Sequence, residues 1–297
     1  MVPIILIAKM RYAIIANPAS GKKSVAQKHS VLVRAAEILN AEIHGLDTTT
    51  PEDFCQYARE LANRCDVLVI AGGDGTLSDI INSIDTAQKP VAFLPLGTGN
   101  AMQHALKYKG SIAEIAMRIR DGEIHRYDLV NCQGKERGFI LSVGIEGKII
   151  QLRDEYLARG YTGFKTYLGA FISAFFGKYK RTTAEITIDD TSFEMKNLLS
   201  LIIVKQQYYG FGMKVVPRAR FDDRLLHILS INSRLFECAI GVATSFTGGN
   251  RIGQYRTGHQ LDVKLERPLT LQIDGKQAWE ASAFIFTVLP KALKIKC

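Results

Sequence analysis

Residues 67–77 read VLVIAGGDGTL, which sets Asp74 between glycines at the point where an apolar strand has to turn. Two more loops share that character, NPASGK at 17–22 and PLGTGN at 95–100. Glycine lets the backbone approach a ligand closely, so that its N–H groups meet phosphate oxygens, and a helix that starts after such a loop adds partial positive charge. Lys22 and Lys23 are point charges suited to an anion, and Thr76 and Thr98 supply hydroxyl contacts. A nucleotide polyphosphate is the ligand such loops suit. The chain has no G-x-x-x-x-G-K-[ST], and no G-x-G-x-x-G after its first strand, so neither the P-loop nor the dinucleotide fingerprint explains them. A single glycine-rich turn is ordinary, whereas three across one crevice make a site. The candidate nucleotide contacts are Asn17, Ser20, Gly21 and Lys22 in the first loop, Gly72, Gly73, Asp74, Gly75 and Thr76 in the second, and Gly97, Thr98, Gly99 and Asn100 in the third.

For these loops to meet, the strands before them must lie side by side. YAIIA (12–16) reads as a buried strand, followed by a helical period in which Leu32, Ala35 or Ala36, and Leu39 share a face. EIHGL (42–46) is a second strand. Thr50 then reads as an N-cap, with Pro51 at the first helical position and Glu52 and Asp53 in the first turn. VLVI leads through GGDGT to a helix expected from near Leu77, and VAFL leads through PLGTGN to AMQHALKY. Repeated strand-loop-helix units predict a parallel, doubly wound sheet, in which ligands bind beyond the carboxyl ends of the strands.

After Asp128 the pattern changes. GFILSV, AEITI, LLSLIIV, LLHILSI, LDVKL, LTLQI and AFIFTVL are strand-like runs bounded by Gly, Asp, Asn or Pro, with few helices between them. The expected fold class is therefore α/β: a doubly wound nucleotide-binding domain over 1–128, then a predominantly antiparallel β domain over 129–284. A last strand at about 285–297 is expected to be able to return to the first domain. One helix is expected in the second half, where GFKTYLGAFISAFFGKYKR puts Phe164, Leu168, Phe171 and Phe175 on one face. Either that face covers the β core, or it forms an apolar lip beside a lipid site, with Lys178, Lys180 and Arg181 meeting phosphates.

Composition bounds the setting. At 297 residues and 47% hydrophobic, the chain can build the cores that two domains need. Its 38 Lys and Arg against 29 Asp and Glu give a net +9 without blocks of like charge. This favours anionic partners, nucleotides or phospholipid surfaces, and equally describes a mildly basic solvated surface. No aromatic-basic motif of the RNA-recognition kind occurs, so no nucleic acid is expected. Cys55, Cys65, Cys132, Cys238 and Cys297 are odd in number and form no C-x-x-C, which predicts a reducing cytoplasmic compartment. The opening MVPIILIAKM has an apolar run too short for a signal segment, and no apolar stretch reaches the ~18 residues of a membrane span, so membrane contact is expected to be peripheral. The histidines show no metal-ligand spacing, though His104, one helical turn past PLGTGN, is expected near the cleft.

GGDGT, with NPASGK before it and PLGTGN after it, closely resembles the diacylglycerol kinase catalytic domain family, which includes bacterial diacylglycerol kinases, YegS-like lipid kinases, sphingosine kinases and ceramide kinases. The resemblance runs nearly the whole chain: YYGFGMKVVPRARFDDRLLHI is similar to a second-domain segment of the family, LQIDG to its late Asp-Gly turn, and FTVLPKALKI to its closing strand. NAD kinases share a GGDGT loop, but PLGTGN and FDDRLLHI point to the lipid branch. The resemblance implies ATP in a cleft between two domains and transfer of its γ-phosphate to a lipid hydroxyl. It adds Thr48 to the nucleotide contacts and gives Asp74 one of two roles, holding Mg²⁺ or drawing the proton from the acceptor hydroxyl. It also places Asp128, at the end of HRYDL, near that metal, although Asp128 reads equally as a strand-end turn. In some bacterial members it implies a structural metal, held here by Asp223 with the carbonyls of Arg220 and Leu225.

The chain departs from this family pattern in three places. Arg224 stands where the family usually has glycine, so an arginine adjoins the implied metal and could repel it or replace its charge. Lys276 stands where many members have a glutamate assigned as proton acceptor; a lysine is cationic at neutral pH, which leaves Asp274, two residues earlier, as the catalytic candidate beside Asp74. Glu146 in GIEG replaces an aspartate. The function expected is an ATP- and Mg²⁺-dependent lipid kinase acting on a diacylglycerol or sphingoid-like lipid at a membrane surface. The alternative, on Arg224 and Lys276, is a catalytically impaired nucleotide-binding or regulatory relative. Homodimerisation is left open.

Overall fold

The computed structural model describes residues 10–161 and 163–297, so the opening MVPIILIAK run lies outside the described residues. The parallel half comprises β1 (Tyr12–Ala16), α1 (Val25–Leu39), β2 (Ile43–His44), α2 (Pro51–Arg64), β3 (Val67–Gly72), α3 (Asp74–Ser83), β4 (Val91–Pro95), α4 (Ala101–Ala105) and α5 (Ile112–Asp121). Its strands run parallel in the order β4-β3-β1-β2, with α1 packed on α5 and α2 packed on α3. Local chemistry sets the helix ends. Ser24 and Gln27 form a capping box at α1, which stops at Asn40 in the left-handed region (φ 49°). Thr50 accepts from Asp53 N at the start of α2, with Pro51 in its first turn.

One boundary differs from the sequence reading. α3 begins at Asp74 rather than near Leu77, because Gly73 is extended and Leu77 N donates to Gly73 O, which winds GDGT into the first turn. Asp74 therefore sits on a helix N-terminus, where a carboxylate is favoured.

The second half comprises β5 (Ile124–Cys132), β6 (Glu136–Gly138), β7 (Ile140–Gly144), α6 (Ile145–Ala158), α7 (Phe164–Ser173) continuing as a π-helical turn (Ala174–Lys178), β8 (Thr182–Ile188), β9 (Thr191–Leu198), β10 (Ser200–Val204), a 3₁₀ turn (Gly210–Gly212), β11 (Leu226–Ile231), α8 (Leu235–Ser245), β12 (Gln254–Gly258), β13 (Gln260–Ile273) and β14 (Lys276–Lys296). Its strands pair antiparallel, as expected. Two helices, α6 and α8, were not expected. α6 follows β7 directly across a single glycine, Gly144 (φ 139°), and α8 (LFECAIGVATS) lacks the polar face that marks an amphipathic helix.

LDVKL and LTLQI join into the single strand β13, in which Pro268 falls within a register shift between Lys264 and Leu269. A strand tolerates proline at such an irregularity, where no ladder donor is required. AFIFTVL and the closing segment likewise join as β14. β14 pairs with β13 and β5, and its Ile295 lies parallel to Val91 of β4, so one sheet runs through both halves of the molecule.

Candidate active site

The three glycine loops meet at the carboxyl ends of β1, β3 and β4. Asn17 N donates to Ala71 O (3.0 Å), and Leu96 N and Gly97 N donate to Gly72 O (2.7 and 3.1 Å). The contacts leave no room for side chains. A Cβ on Gly97 would lie 2.6 Å from Gly73 Cα, one on Gly21 (φ +68°) would lie 2.2 Å from Leu96 O, and one on Gly72 would collide with the Thr76 side chain. Backbone pressed on backbone is thus a second reason for glycine here, beyond the approach of a phosphate.

Within this cluster Asn17 Nδ2 donates to Thr76 Oγ1 (2.9 Å), and Asn17 Oδ1 accepts from Ala19 N. Ser20 borders Gly73, whereas Lys22, Lys23 and Thr98 are exposed at the rim. Thr48 closes its own turn by donating to Gly45 O (2.7 Å), next to an open groove of about 600 Å³ lined by Val25, His29, His44, Asp47 and Tyr57. Asn100 is left-handed (φ 44°) and donates to Gly97 O, while its Oδ1 is buried without a partner. A buried acceptor left open beside the loops is what a bound donor would fill.

Asp74 joins the second loop to the third. Its two carboxylate oxygens accept from Ala101 N (2.7 Å) and Met102 N (2.9 Å), the first two residues of α4. Burial raises the Asp74 pKa, while those hydrogen bonds and the nearby His104 oppose the rise.

The opposite wall comes from the second domain. Phe211 N donates to Gly99 O (2.8 Å), and Gly210 packs so closely that a Cβ on either Gly99 or Gly210 would lie 3.2 Å from the other's Cα. His104 packs on Gly212 and lies 5.8 Å, centroid to centroid, from Tyr208, which puts it at the cleft as expected. Phe211 itself is left-handed (φ 64°) and meets Phe164 and Tyr167 of α7 edge-to-face, at 5.5 and 5.6 Å.

The turn between β13 and β14 reaches the same place. Lys276 pairs with Asp79 on α3, and its stem lies over Gly75, where a Cβ would be 2.7 Å from Lys276 Cε. Arg153, which the sequence reading did not single out, holds this turn by donating to Gly275 O (2.9 Å) and Tyr167 OH (3.1 Å).

Asp274 does not suit the role of proton acceptor. Its carboxyl is enclosed under Gly138, Oδ1 accepts from Phe139 N (3.2 Å) and Ile140 N (2.8 Å), and burial pushes the group up to about 8. It acts as a staple between β7 and the β13–β14 turn. Glu146 at the start of α6 is buried too; burial pushes it up to about 7, against the hydrogen bond from Ser200.

Asp128 does not join Asp74 at a metal. It is 1% exposed, and its oxygens accept from Lys291 N (2.9 Å) and Arg224 N (2.7 Å). The implied structural metal does not fit either. Lys205, which is fully buried, directs its ammonium at Asp223 Oδ1 (2.8 Å) and Leu225 O (2.6 Å), with Asp128 Oδ2 at 3.2 Å. The Arg220 N–H donates to His227 Nε2 (3.0 Å), and among the contacts of the Lys205 ammonium the Arg220 carbonyl does not figure. Arg224 contributes its backbone, at φ 61°, which explains the usual glycine; its side chain is exposed. The signal for Lys205 in the sequence is a lysine placed directly after the apolar strand LLSLIIV.

The aromatic helix buries a different face from the one expected. Thr166, Ala170 and Ala174 are buried, whereas Phe164, Phe171 and Phe175 are half-buried and Leu168 is exposed. Small residues let α7 pack closely on α6, which turns the larger side chains outward. Arg181 is committed to the carbonyls of Asn232 and Ser233 (2.6 and 2.5 Å), so it is not free to meet phosphates. Lys180 is exposed, and the side chain of Lys178 lies outside the described residues.

A parallel nucleotide-type domain facing an antiparallel β domain across glycine loops is the architecture of the diacylglycerol and NAD kinases. Residues 11–132 match the diacylglycerol kinase catalytic domain, and residues 140–297 match the YegS C-terminal NAD kinase β-sandwich-like domain. The chain belongs to the diacylglycerol kinase catalytic domain family. It is 26% identical to a diacylglycerol kinase of Staphylococcus saprophyticus over 90% of this chain and 89% of that one, and 23% identical to a diacylglycerol kinase of Bacillus subtilis over the same shares. Among solved structures it is similar to a diacylglycerol kinase from Bacillus anthracis (TM-score 0.71, 18% identity, 97% of this chain and 96% of that one). It is also similar to an NAD kinase from Archaeoglobus fulgidus in complex with ATP (TM-score 0.54, 11% identity, 96% and 93%).

Proposed function

We propose that the protein is a lipid kinase that binds ATP with Mg²⁺ in the crevice beside the three loops and transfers the γ-phosphate to a hydroxyl of a membrane-derived lipid of the diacylglycerol or sphingoid-like class. One observation carries this reading: the loops at the ends of β1, β3 and β4 face the aromatic group of Phe164, Tyr167 and Phe211 through the Gly99–Phe211 contact. Backbone suited to phosphate thus stands next to apolar rings, the two surfaces that a nucleotide donor and a lipid acceptor would need side by side. The ATP held by the NAD kinase of the same fold supports the choice of nucleotide.

Phosphoryl transfer needs positioning and charge neutralisation more than covalent chemistry from the protein. Lys22 and Lys23 supply charge at the rim, Ser20 and Thr98 supply hydroxyls, and Asn100 Oδ1 supplies an open acceptor. By gripping the start of α4, Asp74 makes the second and third loops a single unit. Mg²⁺, carried in with the nucleotide, would supply further charge neutralisation at the phosphate oxygens. Lys276, over Gly75, adds an ammonium that exchanges Asp79 for a phosphate oxygen. The acceptor oxygen bonds to the γ-phosphorus as the bond to the β,γ-bridging oxygen breaks, ADP leaves, and the hydroxyl proton passes to Asp74, each of whose oxygens keeps a lone pair beyond its backbone partner.

Incubation with γ-labelled ATP and a panel of diacylglycerol, sphingoid base and prenol tests the reading. Label in one lipid, abolished by Asp74→Asn, is expected; measurable ATP binding with no transfer to any of the lipids overturns it. Enclosed Asp274 and cationic Lys276 favour a second reading, a nucleotide-binding regulatory relative. Mg²⁺-independent nucleotide binding that survives Asp74→Asn, without turnover in the parent, would select it.

A further inference from the structure

The fully buried Lys205 belongs to no part of the crevice described above. It follows β10, its own N–H extends the ladder by donating to Phe139 O (3.0 Å), and strand geometry sends its side chain inward to the 221–225 turn. An ammonium carries three N–H donors and no acceptor. Three oxygens surround this one: Asp223 Oδ1 at 2.8 Å, Leu225 O at 2.6 Å and Asp128 Oδ2 at 3.2 Å. Asp128 is enclosed and Asp223 is partly so (22% exposed), and two carboxylates converging in this setting call for a positive charge, which Lys205 supplies. His227 is adjacent, its Nε2 3.0 Å from Asp223 Oδ2, but Nε2 already accepts from Arg220 N and so presents a lone pair rather than a proton on that side.

We propose that Lys205 is a covalently supplied cation, occupying the place where a divalent ion would otherwise bind and making the second domain independent of metal. Its ammonium ties three segments together. Asp128 brings β5 and, through Lys291 N, β14; Asp223 and Leu225 bring the turn before β11; Phe139 O anchors Lys205 itself. A set of one side-chain carboxylate and a carbonyl, completed by a second carboxylate, is an oxygen cage of the kind hard cations take. Removing the lysine head while leaving its space open converts this cage into a cation site.

Thermal melts of nucleotide-free protein test this without reference to turnover. The parent is expected to keep its Tm within about 1 °C in excess chelator or in millimolar Mg²⁺ or Ca²⁺. Lys205→Ala is expected to lose roughly 6–10 °C, and to recover part of it with Mg²⁺, Ca²⁺ or methylammonium. Lys205→Met, which fills the space without the charge, is expected to lose stability with no recovery. A Lys205→Ala protein as stable as the parent, or destabilised yet indifferent to every cation, overturns the proposal. Should that variant not fold, Mn²⁺ titration of the parent followed by electron paramagnetic resonance decides: no stoichiometric binding supports it, and one tight ion per chain that Asp223→Asn removes overturns it.

Discussion

A single carboxyl illustrates how burial decides a role. Asp274 has the residue type and sequence position of a proton acceptor, yet enclosure pushes it up to about 8, far from the ordinary carboxylate range. The folded protein therefore holds a proton that the unfolded chain releases near pH 4, so stability from this group is greatest in acid and falls as pH rises from about 4 to about 8. Glu146, pushed up to about 7, adds to the same fall over a narrower window. Asparagine keeps the acceptor for Phe139 and Ile140 N–H, tolerates the left-handed backbone (φ 46°) and carries no charge. Asp274→Asn is thus expected to flatten the decline of Tm between pH 5 and pH 8, to melt above the parent at pH 8 and to retain phosphoryl transfer. A drop of ~10²-fold in transfer with unchanged melting would be the size of effect seen on removing a general base, and would return Asp274 to the chemistry. Asp274→Ala, leaving two buried N–H groups unpaired, is expected to lose about 1–3 kcal/mol.

At the scale of elements, the loops are one packed object rather than three flexible strings. Gly97→Ala drives a methyl group to 2.6 Å from Gly73 Cα. We expect a loss of about 1–3 kcal/mol in a denaturant titration and at least ~10-fold weaker nucleotide binding, since the two loops must separate. Gly177→Ala, with open space around it, is the matched control and is expected to melt with the parent. Much of this level was legible in the sequence, because strand-loop-helix repetition fixes where loops gather and Thr50-Pro51 announces a helix. Other parts were not. α8 exposes Phe236 and Ile240 and so mimics a buried strand, and the face of α7 that packs is its small one, where apolar spacing alone pointed to the phenylalanines. The partner of a buried charge is a tertiary fact, so Asp128 and Asp223 could be listed from the sequence while Lys205 could not be joined to them.

At the scale of the molecule, β14 pairs with β13, β5 and β4, so neither half can lose its sheet alone. Calorimetry is expected to give one endotherm, raised as a whole by nucleotide; two resolved transitions would refute this. The outer surface has its own consequence. Phe176 (70% exposed) and Phe236 (76% exposed) stand on neighbouring segments, because Arg181 links the end of the π-helical turn to the start of α8. Replacing both by serine is expected to weaken sedimentation with anionic vesicles severalfold while leaving Tm unchanged, since neither ring is in the core.

The backbone crosses between the two halves twice, and both crossings lie in one antiparallel ribbon, β5 against β14. That ribbon is interrupted between Leu289 and Leu293, around Pro290 and the left-handed Lys291, whose N–H is held by Asp128. At its two ends this ribbon is flanked by β13 and β4, but between Leu289 and Leu293 it has neither partner, so it bends most readily where its ladder is already broken. Were the crevice to open, this gap in the ladder is where the connection between the halves would give first, with the Lys205 cluster fastened to its side through Asp128.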